Sequence, residues 1–207
     1  MAQTDNRRND ASIAGDLADA VAHHQAGRLA EAELLYLQIL GTNPDAADAR
    51  HLLGVVAQQC GQPLRAIDNI KQALALVPDS AIYHTNIGEA YRTAGNMKLA
   101  LKHGEEAIRL GPNSAECHVN LGVTYQHLGR NEDAIDQYER AIELDPYQPA
   151  SYVNLANLLG TLSRPYEASS YLMEGLRLMP DTGHLNAALD PIRRAIARIE
   201  SGRPASS

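Results

Sequence analysis

Phenylalanine and tryptophan are absent from the 207-residue chain, whose aromatic residues are nine tyrosines. Burial must therefore come mainly from Ala, Leu, Ile and Val, and Ala and Leu at this density favour closely packed helices. Cysteine is scarce as well: Cys60 and Cys117 form no CxxC pair, so the sequence indicates neither a disulfide framework nor a zinc knuckle. We expect both cysteines to be small, reduced core residues.

Long apolar runs and an excess of positive charge are also missing. No apolar run approaches the ~20 residues that a membrane-spanning helix needs, and the polar N-terminus MAQTDNRRNDAS lacks the apolar stretch of a signal peptide. The formal net charge of -7 argues against nucleic-acid binding, because a phosphate-binding groove needs clustered Lys and Arg. The sequence therefore predicts a cytoplasmic protein that neither enters a membrane nor binds nucleic acid.

The common catalytic signatures are missing too. The chain contains no P-loop, no dinucleotide-binding glycine fingerprint, no GxSxG elbow and no HExxH motif. We therefore predict no catalytic residues, no metal ligands and no cofactor. His84 and His118 occupy the same place in a 34-residue period, but no Asp, Glu or Cys recurs beside them to complete a metal site. We interpret both histidines as packing residues.

The dominant feature of the sequence is that 34-residue repeat. Five prolines keep its spacing, namely Pro44, Pro78, Pro112, Pro146 and Pro180. Two further sets keep the same register, the alanines Ala32, Ala66, Ala100, Ala134 and Ala168 and the glycines Gly27, Gly61, Gly95 and Gly129. A period of this length predicts a repeat architecture in which each unit is one supersecondary element.

Each unit fits two amphipathic helices joined by a turn, and the fourth unit shows why. Gly122 and Tyr125 lie at helical spacing in the first helix, and Ala134 and Tyr138 do so in the second. Gly122 and Ala134 are small, which predicts a close approach of the two helices, with the tyrosine rings filling neighbouring hollows. Gly129 is placed to end the first helix in a left-handed conformation.

The proline column also marks where each new first helix begins. Polar residues follow four of the prolines, and we predict them to be the N-caps of the next helices: Asp45, Asp79, Asn113 and Asp181. At the remaining junction Tyr147 takes this place, and Pro149 is suited to the first turn of the following helix.

These residues resemble the pattern of the tetratricopeptide-repeat (TPR) family over residues 13–182. Repeats three and four match it best, with HTNIGEAY and HVNLGVTY in their first helices. The resemblance implies an all-α fold, a right-handed superhelical solenoid of five helix-turn-helix repeats. The expected repeats are 13–46, 47–80, 81–114, 115–148 and 149–182.

A final helix is expected over residues 183–202, as a cap on the last repeat. Ile192, Ile196 and Ile199 form an apolar stripe that we predict to be its buried face, and Pro191 is expected to start or kink it. The short polar ends, residues 1–12 and 203–207, are expected to be disordered.

In TPR solenoids the first helices line a concave groove, so the resemblance also implies which residues face a partner. Asparagines recur every 34 residues, immediately before the position of Leu121, in repeats three, four and five. Residues further along each helix extend the same face. The predicted partner-binding residues are Asn86, Glu89, Arg92, Asn120, Gln126, Asn154 and Asn157.

An asparagine side chain both donates and accepts hydrogen bonds, which suits it to hold the backbone amides of an extended peptide. The matching positions of repeats one and two are apolar, namely Ala18, Val21, Leu52 and Val55. We therefore expect an extended protein segment that is polar at one end and has an apolar anchor at the other. The alternative is that the asparagines satisfy neighbouring backbone groups or one another.

This asparagine ladder resembles the TPR region of O-linked N-acetylglucosamine transferases and their bacterial relatives, in which groove asparagines hold protein substrates. The segment HHQAGRLAEAELLYLQIL also resembles bacterial members of that group. Their catalytic glycosyltransferase domain is not found in these 207 residues, so the resemblance carries over no activity.

The leading hypothesis is a non-catalytic adaptor of the bacterial cytoplasm that holds an extended segment of another protein in its groove. Two alternatives stay open. One is a substrate-recruiting arm of a glycosyltransferase-type enzyme, and the other is a structural protomer that assembles into a homo-oligomer.

Overall fold

A computed structural model describes residues 15–201 of the chain, and every regular element in that range is an α-helix. Helix α1 covers residues 15–25. The others are α2 (Leu29–Thr42), α3 (Ala47–Gln59), α4 (Pro63–Leu76), α5 (Ala81–Thr93), α6 (Met97–Leu110), α7 (Ala115–His127), α8 (Asn131–Leu144), α9 (Pro149–Thr161), α10 (Pro165–Leu178) and α11 (Gly183–Glu200). The predicted disorder of residues 1–12 and 203–207 concerns positions outside the described range.

The helices form two compact units, Met1–Leu110 and Gly111–Ser207. In the first unit α2 packs on α3, α3 on α4, α4 on α5 and α5 on α6. In the second unit α7 packs on α8, α8 on α9, α9 on α10 and α10 on α11. Consecutive helices thus pack on one another within each unit, and the predicted all-α fold of TPR helix pairs is confirmed within the described residues.

The turn inside each helix pair is closed by a residue in the left-handed conformation. Gly129 has a φ of +71°. Its N–H donates to the carbonyl of Gln126, and the N–H of Arg130 donates to the carbonyl of Tyr125. These two bonds form a Schellman motif, which satisfies carbonyls at the end of α7. The expected helix-ending role of Gly129 is confirmed.

In the fifth helix pair a serine replaces this glycine. Ser163 adopts a φ of +61° and makes the same pair of backbone bonds as Gly129. A side chain at this φ crowds the backbone and costs about 1 kcal/mol, whereas glycine adopts the conformation freely. We expect Ser163→Gly to raise the free energy of unfolding by about 1 kcal/mol, measured by urea denaturation followed by circular dichroism. An unchanged or lower stability would contradict this expectation.

The N-caps differ from the prediction. Ser80 precedes α5 and accepts a hydrogen bond from the N–H of Tyr83, and Ser114 precedes α7 and accepts one from Cys117. The predicted caps Asp79 and Asn113 lie one residue too early, in the turn that follows each proline. A cap side chain accepts from the second or third amide of its helix, and serine at the later position reaches the third one. Pro149 is the first residue of α9, as expected.

The core confirms that the small residues of the repeat lie where the helices approach each other closely. The alanine column is completely buried: Ala32, Ala66, Ala100, Ala134 and Ala168 have no exposed surface. Gly122 lies under the ring of Tyr138, so close that an added Cβ would be 2.6 Å from its Cε1 atom. The cysteine prediction is wrong in part, because Cys117 is buried but Cys60, the C-cap residue of α3, is exposed.

The last helix packs on α9 and α10, as a cap on the final repeat should. Its buried residues are Leu185, Leu189 and Ile192, whereas Ile199 is 55% exposed. The buried stripe therefore lies nearer the start of the helix than predicted. Pro191 lies inside α11 and does not start it.

Candidate partner-binding faces of the first helices

In the second unit the predicted contact residues lie on two first helices that pack against each other, α7 and α9. Asn120 and Gln126 lie on α7, and Asn154 and Asn157 lie on α9. Asn154 is half-buried and Asn157 is exposed. Within the described part of the chain, neither of these two side chains makes a hydrogen bond, so both amides are available to a partner.

The two amides on α7 are engaged inside the unit. Asn120 donates from Nδ2 to the backbone carbonyl of Glu116, at 3.2 Å. Gln126 accepts at Oε1 from the hydroxyl of Tyr138, at 3.0 Å. Asn120 and Asn154 are therefore chemically distinct, although the 34-residue period makes them look equivalent.

In the first unit Asn86 is also engaged. Its Nδ2 donates to Nε2 of His51, at 2.7 Å. His51 is only 4% exposed and stacks on Tyr83, with ring centroids 4.3 Å apart. The Tyr83 hydroxyl donates in turn to Asp48. Asn86 thus belongs to a polar network that joins α3 to α5.

Burial determines the charge state of this network. It lowers the pKa of His51 to about 4, and the nearby carboxylate of Asp48 opposes that shift only in part. Burial, together with the hydrogen bond to Asp48, raises the pKa of the Tyr83 hydroxyl. At neutral pH His51 is therefore neutral and can accept the hydrogen bond from Asn86.

Glu89 and Arg92 lie further along α5, and both are half-buried. The residues expected to form an apolar anchor also lie in the first unit: Val21, Leu52 and Val55 are half-buried and Ala18 is exposed. The structure therefore places Asn86, Glu89 and Arg92 in the first unit, and Asn120, Gln126, Asn154 and Asn157 in the second.

The packing role of His84 and His118 is more specific than the sequence indicated. Four residues of this column hydrogen-bond the carbonyl of the proline that precedes them by six positions. The donors are Arg50 to Pro44 at 3.2 Å, His84 to Pro78 at 3.0 Å, His118 to Pro112 at 3.0 Å and Tyr152 to Pro146 at 3.2 Å. The 34-residue spacing could have revealed this column, but its changing residue types concealed the shared contact.

The second ring nitrogen of each histidine also has a partner. His84 Nδ1 lies 2.9 Å from Nδ1 of His103, and His118 Nδ1 lies 2.8 Å from Oε1 of Gln137. A cavity of about 640 Å³ opens beside the His84–His103 pair, between α4, α5 and α6. Among residues 15–201, no three His, Cys, Asp or Glu side chains are placed to share a metal ion.

None of the described helices combines the length and apolar character that crossing a membrane requires.

Comparison with known proteins gives a family match over part of the chain and a fold for most of it. The tetratricopeptide-repeat family model matches residues 45–113 and 79–146. A search of curated proteins gave no significant match.

Three solved structures show the likeness in fold. A thermophilic TPR protein of Thermus thermophilus is 24% identical with a TM-score of 0.77, and the match covers 89% of this chain and 99% of that one. Pseudomonas aeruginosa pilF is 19% identical with a TM-score of 0.73, over 94% of this chain and 99% of that one. YrrB, described as a TPR protein with an unusual peptide-binding site, is 21% identical with a TM-score of 0.60, over 84% and 89%.

At these identities the solved structures establish the fold alone. The family model adds the repeat signature itself over residues 45–146. Residues 45–146 therefore match the tetratricopeptide-repeat family, and the chain has the fold of the solved tetratricopeptide-repeat structures.

Proposed function

We propose that this chain is a non-catalytic scaffold for protein interaction, and that the face formed by α7 and α9 holds an extended segment of a partner protein. The observation that carries the proposal is the state of Asn154 and Asn157, whose amides have no hydrogen-bond partner among the described residues. Amides of this kind suit the alternating donors and acceptors of an extended backbone. The peptide-binding site in the description of YrrB is consistent with such a role.

The proposal gives the predicted asparagines different roles. Asn86 is held by His51 inside the first unit, so its amide nitrogen already has a partner. We propose that Asn154, Asn157 and Gln126 carry the main contacts. Asn120 then contributes to the α7–α9 face with a smaller effect, and Glu89 and Arg92 contribute to partner binding from α5 in the first unit.

Other features of the proposal come from the sequence alone. They are the bacterial cytoplasm as location, the boundaries of the five repeats and the absence of catalysis. The resemblance to the TPR region of O-linked N-acetylglucosamine transferases also stays a prediction. A homo-oligomer remains the alternative partner arrangement.

The proposal predicts that the double variant Asn154→Ala, Asn157→Ala binds peptide at least tenfold more weakly than the wild type, on the scale of about 1 kcal/mol for each of two hydrogen bonds. The loss is expected because both amides are free to bond the backbone of the peptide. The probe is a short peptide selected against the wild-type protein from a displayed random library. Its affinity is measured by fluorescence anisotropy.

Asn86→Ala is the matched control. It removes an asparagine from the same column and leaves Nε2 of buried His51 without its donor, so we expect lower stability with affinity unchanged within about twofold. Circular dichroism confirms that each variant is folded. If the folded double variant binds the selected peptide as tightly as the wild type, the α7–α9 face is not the binding site.

A further inference from the structure

Two buried tyrosines of the second helices reach across to the first helices of their own repeats. Tyr36 on α2 and Tyr138 on α8 occupy the same position of the 34-residue period, and neither has any exposed surface. The Tyr36 hydroxyl lies 3.3 Å from Nδ1 of His24. The Tyr138 hydroxyl donates to Oε1 of Gln126 at 3.0 Å. His24 and Gln126 also occupy equivalent positions.

The other three repeats show what this hydroxyl supplies. Their residues in the tyrosine column are Ile70, Gly104 and Leu172, which have no side-chain donor. In repeat two the facing residue is Gln58, and its Oε1 is buried without a hydrogen-bond partner in the described part of the chain. A buried amide oxygen without a partner is costly. The tyrosine hydroxyl removes this cost and fixes the end of the facing side chain.

The hydrogen bond from Tyr138 fixes which end of the Gln126 amide is engaged and which end is left for a partner. The Oε1 atom of Gln126 is bound by Tyr138, while its Nε2 makes no hydrogen bond to another described residue. The Tyr138 ring is fully buried and packs directly over Gly122, which holds its hydroxyl in place. Because Tyr138 holds the oxygen, the N–H donors are the part of the Gln126 amide that is left without a hydrogen bond on the partner-binding face of α7.

The equivalent pair in the first unit leaves nothing for a partner. Nδ1 of His24 faces Tyr36, and its Nε2 lies 3.2 Å from Oε1 of Gln59. Both ring nitrogens are thus used inside the unit. In repeat one the equivalent tyrosine hydrogen bond therefore has only a packing role. This makes Tyr36 a suitable control for Tyr138.

We propose that Tyr138 is a positioning residue that sets the polarity of the α7–α9 face. By holding the oxygen of Gln126, it directs the amide nitrogen toward the partner and selects a hydrogen-bond acceptor there, such as a backbone carbonyl of an extended segment. This inference rests on the proposed function, because it assigns one polar contact within that face.

The test is Tyr138→Phe, which keeps the ring that fills the hollow and removes only the hydroxyl. The order parameter of the Gln126 side-chain amide, from ¹⁵N relaxation, is expected to fall because the amide can rotate freely. Affinity for the selected peptide is expected to fall about fivefold, the effect of one hydrogen bond. Adding Tyr138→Phe to Gln126→Ala is expected to cause no further loss of affinity, since Tyr138 acts through Gln126.

Tyr36→Phe is the control, because it removes the equivalent hydroxyl from the first unit. We expect it to leave both the Gln126 order parameter and peptide affinity unchanged. If Tyr138→Phe changes neither quantity while Gln126→Ala weakens binding, the positioning role is wrong and the proposed function stands. A different result would show that the proposed binding face is wrong. In that case Tyr138→Phe mobilises Gln126, but peptide affinity is unchanged both in Gln126→Ala and in the Asn154→Ala, Asn157→Ala double variant.

Discussion

Acidification is expected to destabilise the protein by about 3 kcal/mol through His51 alone. In the folded chain burial lowers the pKa of His51 to about 4, whereas an unfolded chain protonates histidine near pH ~6.5. Between these values the unfolded state binds the additional proton, so stability falls as the pH falls. The stability linked to neutral His51 is complete above about pH 6.5 and is lost progressively down to about pH 4. Each pKa unit corresponds to about 1.4 kcal/mol.

His103 adds to the same trend. Burial, with the neighbouring His84 and Lys102, lowers its pKa to about 4 as well. It is less deeply buried than His51, so solvent screening makes its contribution smaller. The measurement is a series of urea denaturations from neutral pH to about pH 4, followed by circular dichroism.

His51→Gln isolates the histidine from the carboxylates, which also titrate at low pH. A glutamine oxygen can accept the hydrogen bond from Asn86, but the side chain does not titrate. We expect the variant to be less stable than the wild type at neutral pH, because the stacking on Tyr83 is lost, and the difference to shrink by about 3 kcal/mol on acidification. A difference that stays constant with pH would show that His51 does not carry the effect.

The second large effect is expected from Gly122→Ala, which should destabilise the protein by about 2 kcal/mol. The new Cβ would lie 2.6 Å from one ring atom of Tyr138 and 2.9 Å from another. Forcing an extra carbon into a packed core costs about 1–3 kcal/mol, and the better helix propensity of alanine offsets up to about 1 kcal/mol of this. Thermal and urea denaturation both report the change.

Gly88→Ala provides the matched comparison, since Gly88 has the same position in repeat three. There the residue opposite is Gly104, and the nearest atom to a new Cβ is the carbonyl oxygen of Ala100 at 3.4 Å, an ordinary contact. We expect this variant to be as stable as the wild type or up to about 1 kcal/mol more stable. Equal losses in both variants would mean that the Tyr138 ring does not cause the effect.

Much of the fold could be predicted because spacing alone encodes it. Gly129 ends a helix and the alanine column is buried because only small or glycine-specific chemistry fits those positions, which makes them visible in one sequence. The N-caps of α5 and α7 were predicted one residue too early, because two neighbouring polar residues compete for each of these two caps. Ser80 and Ser114 make the cap because their side chains accept a hydrogen bond from a backbone amide of the helix.

The candidate site was less predictable, because hydrogen bonds between distant residues decide it. The sequence treats Asn86, Asn120 and Asn154 as equivalent. The structure distinguishes them through contacts that the period does not encode, such as His51 beside Asn86. The role of Gln126 depends in the same way on Tyr138, a residue of the next helix. The 34-residue period shows which residues occupy equivalent positions. The hydrogen bonds that each of them makes depend on residues at other positions of the period.

The proline-carbonyl contacts carry a consequence for how such repeats diverge. Arginine, histidine and tyrosine reach the same acceptor from one column, although their size, aromaticity and charge differ. The feature retained is one donor hydrogen that reaches the carbonyl of the preceding proline. A comparison of repeats that scores side-chain similarity would rate this column as unconstrained. A comparison that scores the ability to donate a hydrogen bond would rate the same column as constant in four repeats.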